Sequence, residues 1–323
     1  MLSKTETTAS LPVTTRRAGS VFEVTALAYP VVLQTFSDTL MQVVDSAFVG
    51  RLGATELGGV GFSGIWLWTS LCAFVGMGTG VQTFVAQAFG ARRERECGSW
   101  MWQALWLMLP LVVVWTAIVA MSFETLLRWL GPTLEMQDRA LQYAWGRFPG
   151  MPAVIASVVM TAFFRGLGRT KLPLFATVIA NIVNAVLVYG LVFGRLGLPE
   201  WGVFGAGAAT ATANWTYVVI MLIATLRPSV AARFGTYAWR PHWQQMKRYL
   251  RTSVPMGGQW LLDMTSFAVF STIIARMGDV PMAANQAMIQ LLSLSFMQAY
   301  GISVASGALV GRYIGARDLE AAT

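Results

Sequence analysis

From residue 22 onward the sequence reads as long apolar stretches separated by short polar ones, at roughly 22–50, 57–89, 98–121, 140–164, 172–194, 203–226, 247–275 and 280–311. A helix crossing the hydrocarbon core of a bilayer needs about 20 mostly apolar residues. Each stretch meets that length, so eight membrane helices are predicted. Strands of a membrane barrel would instead alternate every second residue over about ten residues. These runs are longer and continuously apolar, and 57–91, 99–123, 172–194, 201–226 and 280–311 contain no charged residue. The predicted fold is all-α, a polytopic membrane bundle. The predicted divisions are a disordered polar tail over 1–20, a lobe of six helices over 21–227, a linker over 228–246 and two helices of a second lobe over 247–323.

Composition removes the soluble alternative. Of 323 residues, 55% are hydrophobic and 12% charged, about half the roughly 25% charge of soluble domains. A net charge of +8 would suit nucleic acid only with a basic face on a soluble fold. Here the cations fall between apolar runs. With the tail in the cytoplasm, 17 of the 23 Lys and Arg lie in cytoplasmic segments and 6 outside. That asymmetry predicts a cytoplasmic (inner) membrane protein with residues 1 and 323 both inside. Cys72 and Cys97 cannot form a disulfide framework, and the lone His242 has no Cys or His neighbour for zinc. No HExxH, GxSxG or Walker loop occurs, so neither an enzyme nor a cofactor is expected. No polar ring or filter suggests a channel. The expected partners are the lipid bilayer and a small organic molecule, with no nucleic acid and no obligate protein partner.

The chain also repeats itself. A gapless shift of 225 residues aligns Pro30 with Pro255, Gln34 with Gln259, Asp38 with Asp263, Arg51 with Arg276, Gly53 with Gly278, Gly76 with Gly301, and Gly90-Ala91-Arg92 with Gly315-Ala316-Arg317. Fourteen identities fall over 63 positions; the alignment of a proline, a membrane acid and a Gly-Ala-Arg exit in one register makes chance a poor account. Six helices separate the copies, so both enter the membrane from the same side, a parallel repeat with its axis along the membrane normal. On this reading the chain is two-thirds of a twelve-helix plan, a fragment or a naturally short product, and is expected to transport poorly by itself.

Three carboxylates lie inside membrane runs: Asp38 and Asp45 in the first, Asp263 in the seventh. Each costs a few kcal/mol at the bilayer centre, which makes each a functional candidate. Asp38 and Asp45 are seven apart and share a helix face. Two chemistries fit: a desolvated carboxyl that gains and loses a proton, or an ionised one that holds sodium with nearby oxygens. The bland alternative is pairing with a neighbouring arginine such as Arg51. Gln34 stands one turn before Asp38 and can bond it, and Gln259 and Asp263 repeat the arrangement. Pro30 and Pro255 are predicted helix bends. Trp66, Trp68, Trp102, Trp106, Tyr189 and Trp260 suit either a cavity for flat cations or interfacial anchoring. Gly76, Gly78 and Gly80 predict close helix packing. Arg165, Arg169 and Lys171 read as loop cations that set topology or touch anionic lipid.

These segments resemble a known family. A proline early in the first helix, VVDSAFVGRLG, the second helix ending VAQAFGARR, the loop FFRGLGRTKLP and the seventh helix SVPMGGQWLLDMTSFAVFSTIIARMG are similar to the multidrug and toxic compound extrusion (MATE) transporters over about 22–323. The resemblance implies export of organic compounds, cationic ones foremost, driven by proton or sodium antiport. It implies that Asp45 matches the family's first-helix acid and Asp263 its seventh-helix acid, usually Glu. Part of the family carries an acid four residues after the asparagine matching Asn184; this chain has Val188 there. Asn181 and Asn184 then remain as neutral ligands, or as interhelical hydrogen-bond partners worth about 0.6 kcal/mol. The rival is a lipid-linked oligosaccharide flippase of related plan. That activity would call for cations in the central cavity, where the sequence offers only the helix-end Arg51 and Arg147.

Overall fold

The computed structural model describes residues 21–130, 134–237, 239–275 and 279–318, with side chains omitted at 21, 54, 130, 267–269, 271–295, 297 and 298. The predicted tail 1–20, residues 319–323, and the repeat positions Arg276 and Gly278 lie outside them. Every regular element among the described residues is a helix. The helices are α1 (Val21–Gly50), α2 (Ala54–Gly90), α3 (Glu94–Leu130), α4 (Leu134–Arg147), α5 (Met151–Gly166), α6 (Lys171–Phe193), α7 (Gly202–Leu226), α8 (Pro228–Phe234), α9 (Trp243–Ala275) and α10 (Asp279–Ala316). Five runs are long and apolar enough to cross a membrane: Thr55–Gly90, Glu94–Trp129, Leu134–Gly166, Lys171–Phe193 and Gly202–Leu226. The helices α1, α9 and α10, of 30, 33 and 38 residues, occupy the other three predicted spans.

Two features depart from the predicted elements. The fourth span is not one helix, because a single 3-10 turn, Phe148–Gly150, joins α4 to α5. Pro152 has no N–H to offer the Phe148 carbonyl, which takes the Met151 N–H instead and tightens the turn. The Trp215 indole on α7 then satisfies the Pro149 carbonyl at 2.9 Å. Secondly, the stretch read as linker begins with the short α8. Its signal was present in the sequence: Pro228 at the first helical turn and Gly235 just past the end, at φ 68°. The predicted bend prolines sit inside continuous helices, Pro30 buried in α1 and Pro255 exposed in α9.

α2 is the central helix, packed on α3, α4, α5, α9 and α10, while α1 lies between α6 and α10. The main apolar core joins α2, α3, α5 and α7 through residues such as Leu71, Met101, Met108, Ile155, Phe163 and Met221. The repeat found in the sequence is present in the packing. A Cβ on Gly90 would stand 2.7 Å from the Arg312 carbonyl carbon, and one on Gly315 would stand 2.8 Å from that of Gln87. These two contacts are images of each other at the 225-residue offset. The same holds further along, where Gly76 packs on Gly257 of α9 and Gly301 packs on Val32 of α1. Such isologous pairing is what a two-fold axis between α2 and α10 produces. It needs glycine because backbone meets backbone with no room for a side chain. Every one of these contacts lies in the half of the bundle nearer the α2–α3 turn.

The segment between α8 and α9 is strapped to α3. Ser99, Trp102, Gln103 and Trp106 recur on one face of α3. The Ser99 hydroxyl donates to Gln245 Oε1 (2.6 Å), and the Trp102 and Trp106 indoles donate to the Thr236 and Trp239 carbonyls (2.7 and 2.6 Å). Fully buried Gln103 donates to the Arg240 carbonyl (2.9 Å) and accepts from the His242 N–H (2.7 Å). The indole N–H groups of Trp102 and Trp106 are thus both committed to the strap. Arg233 of α8 adds a bidentate pair with Glu94 at 2.7 and 2.9 Å.

Candidate functional site

Four of the sequence-predicted residues meet along one seam between α1 and α6, which run parallel. Gln34, buried, donates from Nε2 to Thr177 Oγ1 at 3.1 Å. One turn on, Asn181 Nδ2 donates to the Ser37 carbonyl (3.1 Å) and hydroxyl (2.9 Å). Furthest along, Asn184 Nδ2 donates to both carboxylate oxygens of Asp45, at 2.9 and 3.0 Å. Asn184 is 2% exposed and Asp45 is half-buried. The amide oxygen Oδ1 of Asn184 is buried and has no hydrogen-bond partner. A carboxylate and an unpartnered carbonyl oxygen thus stand together inside the bundle, an acceptor-rich arrangement short of a proton or a cation. Among the described residues no three His, Cys, Asp or Glu side chains gather into a metal cluster.

Val188, one turn after Asn184, is fully buried among Val49, Leu191, Val192, Ala206 and Ala209. The position that carries an acid in part of the resembling family is here a piece of apolar core. Asp38 stands exposed on α1, and Arg165 and Asn181 are the charged and polar groups that bear on it. Asp263 and Gln259 are exposed on α9, which packs chiefly on α2, and neither makes a hydrogen bond among the described residues. The structure therefore joins Asp45, Asn184, Gln34 and Asn181 in one seam and leaves Asp263 and Gln259 apart from it.

One arginine corrects the sequence reading, and a second, Arg147, stands where the sequence placed it, at a helix end. Arg165, taken from the sequence as a loop cation, turns inward, and its Nη2 donates to Gln34 Oε1 at 2.9 Å. Its Nε is buried without a partner, as is Nη1 of Arg147. Arg147 bears on Asp45 from the end of α4. The sequence hint was only that each arginine closes an apolar run. Thr177 and Ser37 were also missed, because a lone hydroxyl in a membrane run carries no periodic signal. Tyr189 lies on Phe48 and Phe193 at ring distances of 6.0 and 5.9 Å, and Trp260 lies against Gly76. A cleft of about 520 Å³ opens beside Arg169 and Lys171 but contains none of the seam residues.

A parallel helical repeat, a polar seam inside apolar helices and spans of membrane length define a polytopic membrane protein of transporter architecture. The sequence model of the MatE family matches residues 30–190 and 255–323, and the chain belongs to that family. It is 30% identical over 306 residues to the probable multidrug resistance protein NorM of Thermotoga maritima, covering 92% of this chain and 64% of that protein. It is 28% identical over 298 residues to the multidrug resistance protein MdtK of Yersinia enterocolitica, covering 91% and 65%. The fold matches an outward-facing multidrug resistance MATE family transporter of the MOP superfamily, with a TM-score of 0.83 at 22% identity over 93% of this chain and 66% of that one. It matches equally a MOP superfamily transporter from Pyrococcus furiosus whose pocket of reverse polarity suggests a different function, with a TM-score of 0.83 and 22% identity. The chain spans slightly less than two-thirds of the length of the curated relatives it matches.

Proposed function

We propose that this protein takes part in cation-coupled efflux of organic compounds, cationic ones foremost, by alternating access across the cytoplasmic membrane. The observation that carries the reading is Asp45, held by Asn184 beside an unpartnered amide oxygen within a membrane seam. A proton or a sodium ion completes that set of acceptors. The likeness to proteins named for multidrug resistance supports the substrate class. The distribution of Lys and Arg supports an orientation with the α2–α3 turn and both chain ends in the cytoplasm. On that orientation the glycine contacts between α2 and α10 close the cytoplasmic half, leaving the Asp45 end toward the outside. Asp263, the image of Asp38 rather than of Asp45 at the 225-residue offset and by resemblance the family's seventh-helix acid, supplies the acid of the second repeat.

The test is dye efflux from cells expressing the full-length transporter as parent, and its Asp45→Asn and Asp263→Asn variants, at matched membrane abundance. Each variant is expected to lose at least about tenfold in rate, the equivalent of roughly 1.4 kcal/mol of lost ion binding. Parent-like efflux in both would remove these acids from the mechanism. Proteoliposomes at fixed pH, with and without sodium, separate the two coupling ions. One observation favours a second reading: Arg147 and Arg165 turn into the bundle, where phosphate groups would meet them, as a flippase of lipid-linked sugars requires. Phosphate-dependent lipid translocation without dye efflux would select it.

A further inference from the structure

We propose that the cleft between the start of α1 and the α5–α6 turn binds the phosphate of an anionic membrane phospholipid, with an acyl chain lying along the adjoining apolar surface. The first observation is the cleft itself. It holds about 520 Å³ and is lined by Ala26 of α1, by Arg169 and Lys171 at the turn, and by Leu172 and Phe175 of α6. Cations thus meet apolar side chains in one depression. Phe175 is 61% exposed, and apolar surface continues from it along α6 through exposed Val178 and Ile182. From Ala26 it continues along α1 through exposed Tyr29 and Phe36. Spacings of three and seven residues keep each set on one side of its helix. A cationic pocket at the head of a long apolar surface suits a phospholipid better than a soluble anion.

The second observation is unbalanced charge. The Arg169 guanidinium lies over the Phe234 ring, 5.2 Å from its centroid, and Arg233 lies over the same ring at 5.3 Å. Arg233 is neutralised by its bidentate pair with Glu94. Arg169 and Lys171 are exposed and form no ion pair among the described residues. Glu23, three residues before Ala26 on α1, is engaged elsewhere, accepting from the Tyr313 hydroxyl of α10 at 2.7 Å. The stretch before α1 carries Lys4, Arg16 and Arg17 against Glu6, so it brings no net negative charge to the cleft. Two cations therefore stand open to an anion. Basic pockets between membrane helices on the cytoplasmic side hold anionic headgroups, and the distribution of Lys and Arg puts this turn on that side. A lipid seated there joins the starts of α1 and α6, the helices of the Asp45 seam. Its binding does not depend on the efflux reading.

Native mass spectrometry of the purified chain, released from a neutral detergent, reads the binding. The probes are dioleoyl phosphatidylglycerol, dioleoyl phosphatidylcholine and inorganic phosphate. The parent is expected to retain one phosphatidylglycerol at least about tenfold more tightly than phosphatidylcholine. Lys171→Gln is expected to weaken that retention about fivefold, and Arg169→Gln with Lys171→Gln at least about tenfold. Lys171→Arg should stay within about twofold of the parent, as should Lys247→Gln with Arg251→Gln, exposed cations near the start of α9. A second readout guards against a misfolded variant, since each protein serves as its own reference. Added phosphatidylglycerol should raise the melting temperature of the parent by more than about 3 °C and that of the double cleft variant by less than about 1 °C. Parent-like retention in the double cleft variant overturns the proposal. Equal retention of phosphatidylcholine does so too, because charge would then play no part. A loss as large in the α9 variant would assign the attraction to the whole basic surface and not to the cleft. Displacement of the lipid by excess inorganic phosphate would make this a site for a free anion, which also refutes the lipid assignment.

Discussion

The glycine contacts between the two repeats can be tested in a way that exposes their symmetry. Replacing Gly90 or Gly315 by alanine adds one Cβ at a backbone-to-backbone contact. Those atoms would sit 2.7 Å from the Arg312 carbonyl carbon and 2.8 Å from the Gln87 carbonyl carbon, against an ordinary contact of 3.4 Å or more. The carbonyl oxygens of Arg312 and Gln87 lie closer still, so the helices α2 and α10 must part locally by more than about 1 Å, and neither neighbour is a flexible side-chain tip that can swing aside. Overpacking of this kind costs about 1–3 kcal/mol. Alanine's better helix propensity offsets less than about 1 kcal/mol, since both glycines lie at helix ends. The net loss of roughly 1–2 kcal/mol weakens the closed arrangement by about 5–30-fold. Hydrogen exchange over 82–90 and 301–316 reads this directly as lost protection. Both variants should lose protection in both segments, and by similar factors, because each contact is the image of the other. Gly61→Ala and Gly64→Ala, with nothing within 4 Å of the added atom, should lose none. Unchanged exchange in Gly90→Ala and Gly315→Ala, or a loss confined to one of them, would refute the two-fold account of the closure.

Two further outcomes follow from the packing. Gln103→Leu removes both bonds to the strap and strands the Arg240 carbonyl and the His242 N–H, a cost of about 1–3 kcal/mol. Chymotryptic cleavage after Trp239 should accelerate at least about tenfold; an unchanged cleavage rate would mean that the strap is held elsewhere. Val188→Asp restores the acid found in part of the family but places it in a fully buried apolar cluster. A melting temperature lowered by more than about 5 °C is expected, and a stable variant would mean that the cluster opens to water.

If the coupling ion binds at Asp45, the seam suggests how the signal moves. Asp45, Ser37 and Gln34 are spaced along α1 and each is tied to α6. The same α1 carries Val32, which packs on Gly301 of the second repeat. A change in charge at Asp45 acts on a helix that belongs at once to the polar seam and to the inter-repeat closure. The two-state element required of such a coupling is then α1 with its partners. The strap on α3 keeps the chain entering α9 fixed to the first repeat, so movement of the second repeat must be taken up within α9 and α10.

The sequence alone determined the all-helical class, the apolar runs and the repeat, because lipid forces every backbone group into internal hydrogen bonds and so writes the spans as long apolar runs. It also determined which acids to suspect, since a carboxylate in such a run stands out against its background. Only the tertiary structure decided their company. Asn184 meeting Asp45, Asn181 meeting Ser37 and Arg165 turning in to Gln34 are contacts across 131 to 144 residues of chain, Val188 fills a core shared with Val49 and α7, and neither hydropathy nor spacing encodes which face of α1 looks at α6. The 3-10 turn at Phe148–Gly150 and the short α8 had their proline and glycine signals in plain view, but a pattern of long apolar runs outweighs local punctuation. Arg165 went unread for the opposite reason: at the end of an apolar run, an arginine that snorkels to water and one that bends back into the bundle have the same sequence, and only its tertiary hydrogen bond to Gln34 distinguishes them.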